Sequence, residues 1–452
     1  MTKQLYQYQK DAINLALRHE RYLLALDMGL GKTFCAANWL VKVNEQQWNK
    51  PLNCVIVCDA IKLDDWANEL ANIGLKNVVV VNTTKTQNRF LEFSDIEATN
   101  YIISYGKLSN AIHKWPDILK TPFNLIIDES QSLKNKSSKR TQRIISRSPF
   151  VERLLLLSGD PISTSYANLW PQMKLLHCFV DGFNYWDFER SFCIVELGYG
   201  SGGKFRKITG FKNVEHLMRI LYKRAYFLKT EQVKELPQKR SINLPVKASQ
   251  IYRSMEKNGS LIEENFEVLG ESIIKQYHAL RQLASGVVKA DDGSFYQLDN
   301  SKVEMVKILI DSSTYNFTLF YNYNSELWHI KESLKDLDIA VFEINGEKNE
   351  LNDALNCSKR FILLIHYLSG ARGVDGLQFK VFNQIYYSPP NSGEMFRQSI
   401  KRVHRIGQSR PVTYYFLYCK NSIEEHIYKC LKQQKDYSTE LFEQYLNERR
   451  NS

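Results

Sequence analysis

The chain alternates short, strongly apolar runs with longer segments of helical pattern, and it does so in two successive blocks. In the first half the runs are Tyr22 to Leu26, Leu52 to Val57, Val78 to Val81, Tyr101 to Ile103, Asn124 to Ile127 and Arg153 to Leu157, separated by stretches such as Thr33 to Val43 and Leu63 to Ala71. Short β-branched or leucine-rich runs with no polar face read as fully buried strands, and strands spaced by helices read as βαβ units of a parallel sheet. The rhythm returns in the second half at Phe317 to Tyr321, Ala340 to Phe342, Phe361 to Ile365, Gln384 to Tyr387 and Val412 to Tyr418. The expected fold class is therefore α/β, with two parallel-sheet domains in tandem and small helical insertions. The stretch from Tyr166 to Asn300 is mostly amphipathic and helical in pattern, apart from a Gly-rich, basic loop or hairpin at Glu196 to Lys207. A boundary near Pro237 gives domains 1–235, with a helical insertion, and 236–452, with another at about 250–290.

Ligands of parallel sheets sit at the carboxyl ends of strands, so the residues that follow the apolar runs carry the functional argument. After Leu26 comes Asp27-Met28-Gly29-Leu30-Gly31-Lys32-Thr33, then a helical pattern. Two glycines let a backbone turn its N–H groups inward, at Met28 to Gly31, towards a phosphate. Lys32 can reach the outer phosphates of ATP and Thr33 can hold Mg²⁺. The first glycine of the common phosphate-loop pattern is missing, with Leu26 in its place. After Ile127 come Asp128 and Glu129, adjacent carboxylates suited to holding Mg²⁺ (Asp128) and polarising an attacking water (Glu129). Near the other end of the chain, Arg402 and Arg405 lie three apart, a spacing that places two guanidinium groups on one helical face, able to stabilise charge on a γ-phosphate.

The remaining composition narrows the setting. Sixty Lys and Arg against 49 Asp and Glu leave a formal charge of +11, compatible with a polyanionic partner such as nucleic acid. The eight cysteines are scattered, with no C-x-x-C pair and no Cys/His cluster at zinc-ligand spacing, so no zinc is expected. Without a signal-like segment or a membrane-length apolar run, a cytoplasmic location with no membrane partner is the default.

In type, order and spacing, LALDMGLGKT, LIIDESQSLKN, LLLLSGDPIS and the HRIGQ ending of Gln398 to Gln408 resemble the motifs of superfamily-two helicases, specifically the Swi/Snf-like branch. The resemblance implies two RecA-like domains and a DNA-dependent ATPase. It also implies roles for further residues. Gln9 would read the adenine edge. Gln398 and Asp375 would join the ATP site, Asp375 at the ribose. Lys62, with Trp66 nearby, and Ser104 and Tyr105 would grip a nucleic-acid backbone. Ser158 would couple nucleotide state to DNA, and Gly370, Arg372 and Gly373 would contact DNA. The chain departs from the branch at Gln131, where His is usual, at Asp160 for Thr, and at His366 for Ser. No bromodomain, chromodomain or zinc-finger pattern is visible, which favours a minimal DNA-processing enzyme over a chromatin remodeller. The implied task is ATP-driven unwinding or branch migration of forked DNA in replication, recombination or repair, with replication or recombination proteins as possible partners. A duplex translocase that displaces proteins without separating strands, and a non-catalytic DNA-binding scaffold, are the alternatives.

Overall fold

The computed structural model describes residues 4–47, 52–92, 98–111, 121–200, 203–233, 235–263, 266–290, 292–370, 374–433 and 435–450. The chain divides into two compact units, Met1–Glu235 and Leu236–Ser452. In the first, the strands are β1 (Arg21–Leu26), β2 (Cys54–Cys58), β3 (Val78–Val80), β4 (Asn100–Ser104), β5 (Phe123–Ile127), β6 (Val151–Ser158), β7 (Cys193–Gly200), β8 (Gly203–Phe211) and β9 (Ala225–Leu228). Seven of them form one sheet in the order β3-β4-β2-β5-β6-β1-β9. Every pairing in it is parallel, with Leu24 opposite Leu157 and Val57 opposite Ile127. The residues of β1, β2 and β5 are buried throughout, which explains why their sequences carry no polar alternation.

The second unit contains β10 (Lys239–Val246), β11 (Ser260–Glu263), β12 (Phe266–Leu269), β13 (Val287–Lys289), β14 (Phe295–Gln297), β15 (Asn316–Tyr321), β16 (Ala340–Ile344), β17 (Phe361–His366), β18 (Val381–Tyr386) and β19 (Val412–Cys419). Its main sheet is also parallel, in the order β10-β19-β18-β15-β17-β16, so the expected pair of parallel-sheet architectures is what the chain forms. Among the described residues no helix is long and apolar enough to cross a membrane.

The middle of the chain is less helical than its pattern suggests. β7 and β8 form an antiparallel hairpin, and β11–β12 and β13–β14 form two more. β9 lies in a basic stretch, yet it adds a strand beside β1, pairing Leu24 with Tyr226. Its core of Ala225 to Leu228 is apolar, but Lys223, Arg224 and Lys229 on either side disguise it. β10 is an edge strand that pairs only with β19 in the main sheet, and there Pro245 is tolerated.

Candidate nucleotide site and nucleic-acid faces

The chain leaves β1 at Leu26 and enters the helix Lys32–Gln46 through a turn in which Gly29 and Gly31 adopt left-handed backbone, φ 85° and 76°. Gly31 is doubly constrained, since a Cβ there would stand 2.6 Å from Gln9 Nε2. The turn is pinned from three sides. Gln9 Nε2 donates to Leu30 O (3.1 Å), Tyr8 hydroxyl donates to the same carbonyl (3.3 Å), and Met28 N donates to Asp27 Oδ1 (2.9 Å). Thr230, just beyond β9, donates to the other oxygen of the buried Asp27 at 3.1 Å. Neither Asp27 nor Thr230 stood out as a site residue in the sequence. A carboxylate directly ending an apolar strand was a usable signal for the first; for Thr230, 203 positions away, there was none.

Lys32 Nζ donates to Leu26 O at 3.1 Å and lies beside Gly159, where a Cβ would be 3.5 Å from the ammonium. The lysine therefore stands at the carboxyl ends of β1 and β6, facing the space that the loop encloses. Gln9, the adenine-edge candidate, has both amide atoms engaged by its own chain, its Oε1 accepting from Tyr6 N at 3.0 Å.

Asp128, one step past β5, is buried. Its Oδ2 accepts from Trp66 Nε1 at 3.0 Å and its Oδ1 from Glu129 N at 3.0 Å. Burial and the neighbouring Glu129 push its carboxyl up to about 6, against the opposing pull of Trp66, Lys32 and Lys62. A carboxylate this poorly solvated fits a cation. Among the described residues no three His, Cys, Asp or Glu converge. An ion held by Asp128 and Thr33 would thus complete its shell from nucleotide phosphates and water, as Mg²⁺ does. A glycine-shaped loop, a lysine at the ends of β1 and β6 and a desolvated carboxylate together fit a Mg²⁺-nucleotide.

The raised Asp128 carboxyl has a stability consequence. A carboxyl whose folded pKa exceeds its unfolded value binds its proton better when folded, so stability falls as pH rises from about 4 to about 6 and the full cost is present above that window. Asp128→Asn should therefore make the stability of metal-free protein less sensitive to pH, its unfolding midpoint gaining on that of the parent between about pH 5 and about pH 8, although the amide offers one acceptor where the carboxylate uses two. Thermal unfolding in EDTA at the two pH values checks this; a gain independent of pH contradicts the assignment.

A buried polar chain leads away from these carboxylates. Gln131 Nε2 donates to Glu129 Oε2 (2.7 Å), Ser158 Oγ donates to Gln131 Oε1 (2.6 Å), and Asp160 N donates to Ser158 Oγ (3.1 Å). Gln131, a departure from the branch, thus uses both ends of its amide to join the strand ends of β5 and β6. Two expected DNA contacts, Ser104 and Tyr105, have buried side chains, as does the expected coupler Ser158. Ser158 is fully buried, and Ser104 nearly so. Tyr105 is 3% exposed and its hydroxyl donates to Asp128 O at 2.6 Å. Their polar atoms point inward, so none can grip a strand directly. Trp66 likewise belongs to Asp128 and not to a nucleic-acid surface. Lys62 is paired with Asp65 at 2.7 Å on the surface.

In the second unit the helix Gly393–Ile400 ends before the arginines, so Arg402 and Arg405 lie on turns and not on one helical face. They converge all the same. Arg405 Nη1 donates to Asp375 Oδ1 at 2.5 Å, Arg402 Nη1 is 3.9 Å from the same oxygen, and Arg402 Nη1 donates to Val374 O at 3.2 Å. The turns are fixed by Gly407, whose φ is 100° and where a Cβ would strike the Phe379 ring at 2.7 Å. Gln408 clamps the segment by donating to Val381 O and Val403 O and accepting from Ser409 N and Arg410 N. Gln398 is buried and bonds Glu394 at 3.1 Å.

Gly370 closes the short helix Tyr367–Gly370, where a Cβ would overlap Ile365 Cγ2 at 1.9 Å; Arg372 and Gly373 lie outside the described residues. His366, at the end of β17, shares a 2.9 Å hydrogen bond with Asn322 O. Both residues line a groove of about 810 Å³ at the strand ends, with Lys289, Lys331 and Lys348 around it.

The model of the SNF2-related domain family matches residues 8–288. An uncharacterized ATP-dependent helicase of Mycoplasma genitalium is 25% identical over 96% of this chain and 42% of its own. The DNA annealing helicase and endonuclease ZRANB3 of Bos taurus is 23% identical over 93% of this chain and 39% of its own. The chain thus spans about two fifths of the length of these relatives. A solved structure, the Sulfolobus solfataricus SWI2/SNF2 ATPase core in complex with dsDNA, aligns with 98% of this chain and 93% of its own at 19% identity and a TM-score of 0.46. With more than half of its residues matched by one family description, this chain belongs to the SNF2-related family.

Proposed function

We propose that the chain is a DNA-dependent ATPase that converts ATP hydrolysis into movement on DNA, and that its task is unwinding or branch migration of forked or junction DNA. The observation that carries the motor reading is the unbroken run Glu129, Gln131, Ser158, Asp160. A carboxylate placed to polarise water is hydrogen-bonded, through two side chains, to the segment after β6, so a change at the phosphate is felt along the strand ends. Ser158 and Tyr105 act here from within, as couplers.

In this reading Lys32 and the N–H groups of Gly29 and Gly31 hold the phosphates, those of Met28 and Leu30 being engaged by Asp27, and Gln9 exchanges its bond to Leu30 for the base. Asp128 and Thr33 would hold Mg²⁺, which supplies charge neutralisation on the phosphate oxygens when bound. Glu129 takes the proton of the attacking water. Arg402 and Arg405 exchange Asp375 for the γ-phosphate. The groove beside Asn322 and His366 offers a phosphate backbone Lys289, while Lys331 and Lys348 are paired to Glu343, and Glu347 is also in the lining. The branched-DNA task is supported by the name of the annealing helicase relative.

ATP turnover measured with single-stranded, duplex and four-way-junction DNA, alongside strand release, tests the proposal. We expect turnover stimulated by DNA and resolution of the junction. Turnover without strand release on any substrate would instead identify a duplex translocase, and absence of turnover a scaffold.

A further inference from the structure

The accessory part of the first unit carries a feature that the nucleotide site does not use. The helix Tyr185–Phe192 is capped by Asn184, whose side chain accepts from Trp186 N at 2.8 Å. Tyr185 packs on the core, but Trp186 is 56% exposed. One exposed tryptophan is ordinary by itself, and it is the company of this one that distinguishes it. Two cations flank this one. Lys136 Nζ lies 3.6 Å from the Tyr185 ring centroid and 5.7 Å from that of Trp186, and Arg206 Cζ lies 5.5 Å from the Trp186 centroid.

Arg206 comes from β8 and is held from beneath. Its Nε donates to the buried Glu189 at 2.9 Å, while its own side chain remains 48% exposed. Around it, residues 193–211 of the hairpin carry Lys204, Arg206 and Lys207 against a single carboxylate, Glu196. Leu197, opposite Arg206 across the hairpin, is also exposed. An open indole ringed by cations is what a nucleobase with its flanking phosphates requires, because the base stacks on the ring and the phosphates meet the cations. An ordinary apolar protein surface would find these charges a desolvation penalty.

We propose that Trp186, with Lys136 and Arg206, is a stacking site for an unpaired DNA strand. This rests on the reading of the chain as a DNA motor and adds a means of sensing single-stranded arms. The test measures binding of the full chain, without nucleotide, to a forked DNA with a single-stranded arm and to a blunt duplex. Trp186→Ala should weaken fork binding by about tenfold, in line with the loss of one base stack, with blunt-duplex binding within about twofold and Trp186→Phe retaining most of the affinity. Lys136→Ala should lower the slope of log affinity against log salt by about 0.7 on the fork and leave it unaltered on the duplex. Equal fork affinity in Trp186→Ala and the parent, or equal loss on both DNAs, overturns the site. Failure of the motor reading shows separately, as absent DNA-stimulated turnover in the parent protein.

Discussion

Lys32→Ala removes ATP turnover, by at least about a hundredfold, the scale on which a single preorganised charge at a reacting phosphate acts. The physical case is local. Lys32 Nζ, 3.1 Å from Leu26 O and beside Gly159, is the cation at the end of β1 and β6, and alanine leaves only backbone N–H groups and the helix terminus to face the phosphates. Its hydrogen bond is to the Leu26 carbonyl, which water can satisfy, so the fold should tolerate the change. DNA affinity should stay within about twofold, since the groove beside His366 and the Trp186 patch are built from other residues. Lys32→Arg should not rescue, because a planar guanidinium presents its charge as a rigid fork where the ammonium is a compact point charge. Phosphate release and DNA-binding anisotropy on the same preparations check both halves. Undiminished turnover in the alanine variant would sink the assignment of the loop.

How far the sequence could be read depended on how local the cause was. β1, β2 and β5 were legible because both faces of each are buried, leaving runs with no polar alternation, Arg21 and Asn124 standing only near the strand starts. The turn at Gly29 and Gly31 was legible because left-handed backbone selects glycine. The burial of Tyr105 and Ser158 was not. A polar residue at a strand end looks the same whether it meets solvent or a carbonyl 23 positions away, as Tyr105 meets Asp128. Trp66 read as part of a nucleic-acid grip for the same reason, when its indole N–H serves Asp128. β9 was hidden by its charged flanks, and the apparent helix through Arg402 and Arg405 by a three-residue spacing that turns also satisfy. The departure at Gln131 becomes intelligible only with coordinates. An amide can donate to Glu129 and accept from Ser158 together, so the substitution preserves the link between the two strand ends.

Arg405→Ala should lower turnover by about a thousandfold with little change in KM, the signature of a group that meets charge mainly in the transition state. Arg405 is the cleaner of the two arginines to test. Its side chain donates to the exposed carboxylate of Asp375, and among the described residues its Nε meets no hydrogen-bond partner, so little of the fold depends on it. Arg402 is more deeply set and donates to Val374 O, so Arg402→Ala should lose turnover on a similar scale and also lower the unfolding midpoint. Lysine at either place keeps the charge and loses the planar fork, and should recover less than about a tenth of the turnover. Asp375 separates transition-state chemistry from simple charge. As the present partner of Arg405, it must be given up before the guanidinium can act, so Asp375→Asn should spare or raise turnover at saturating ATP even if its loss from the ribose raises KM. Steady-state kinetics of the five variants, with unfolding midpoints measured in parallel, decide the matter. A loss in Arg405→Ala that appears wholly in KM would reduce the arginine to ground-state binding and remove it from the chemical step.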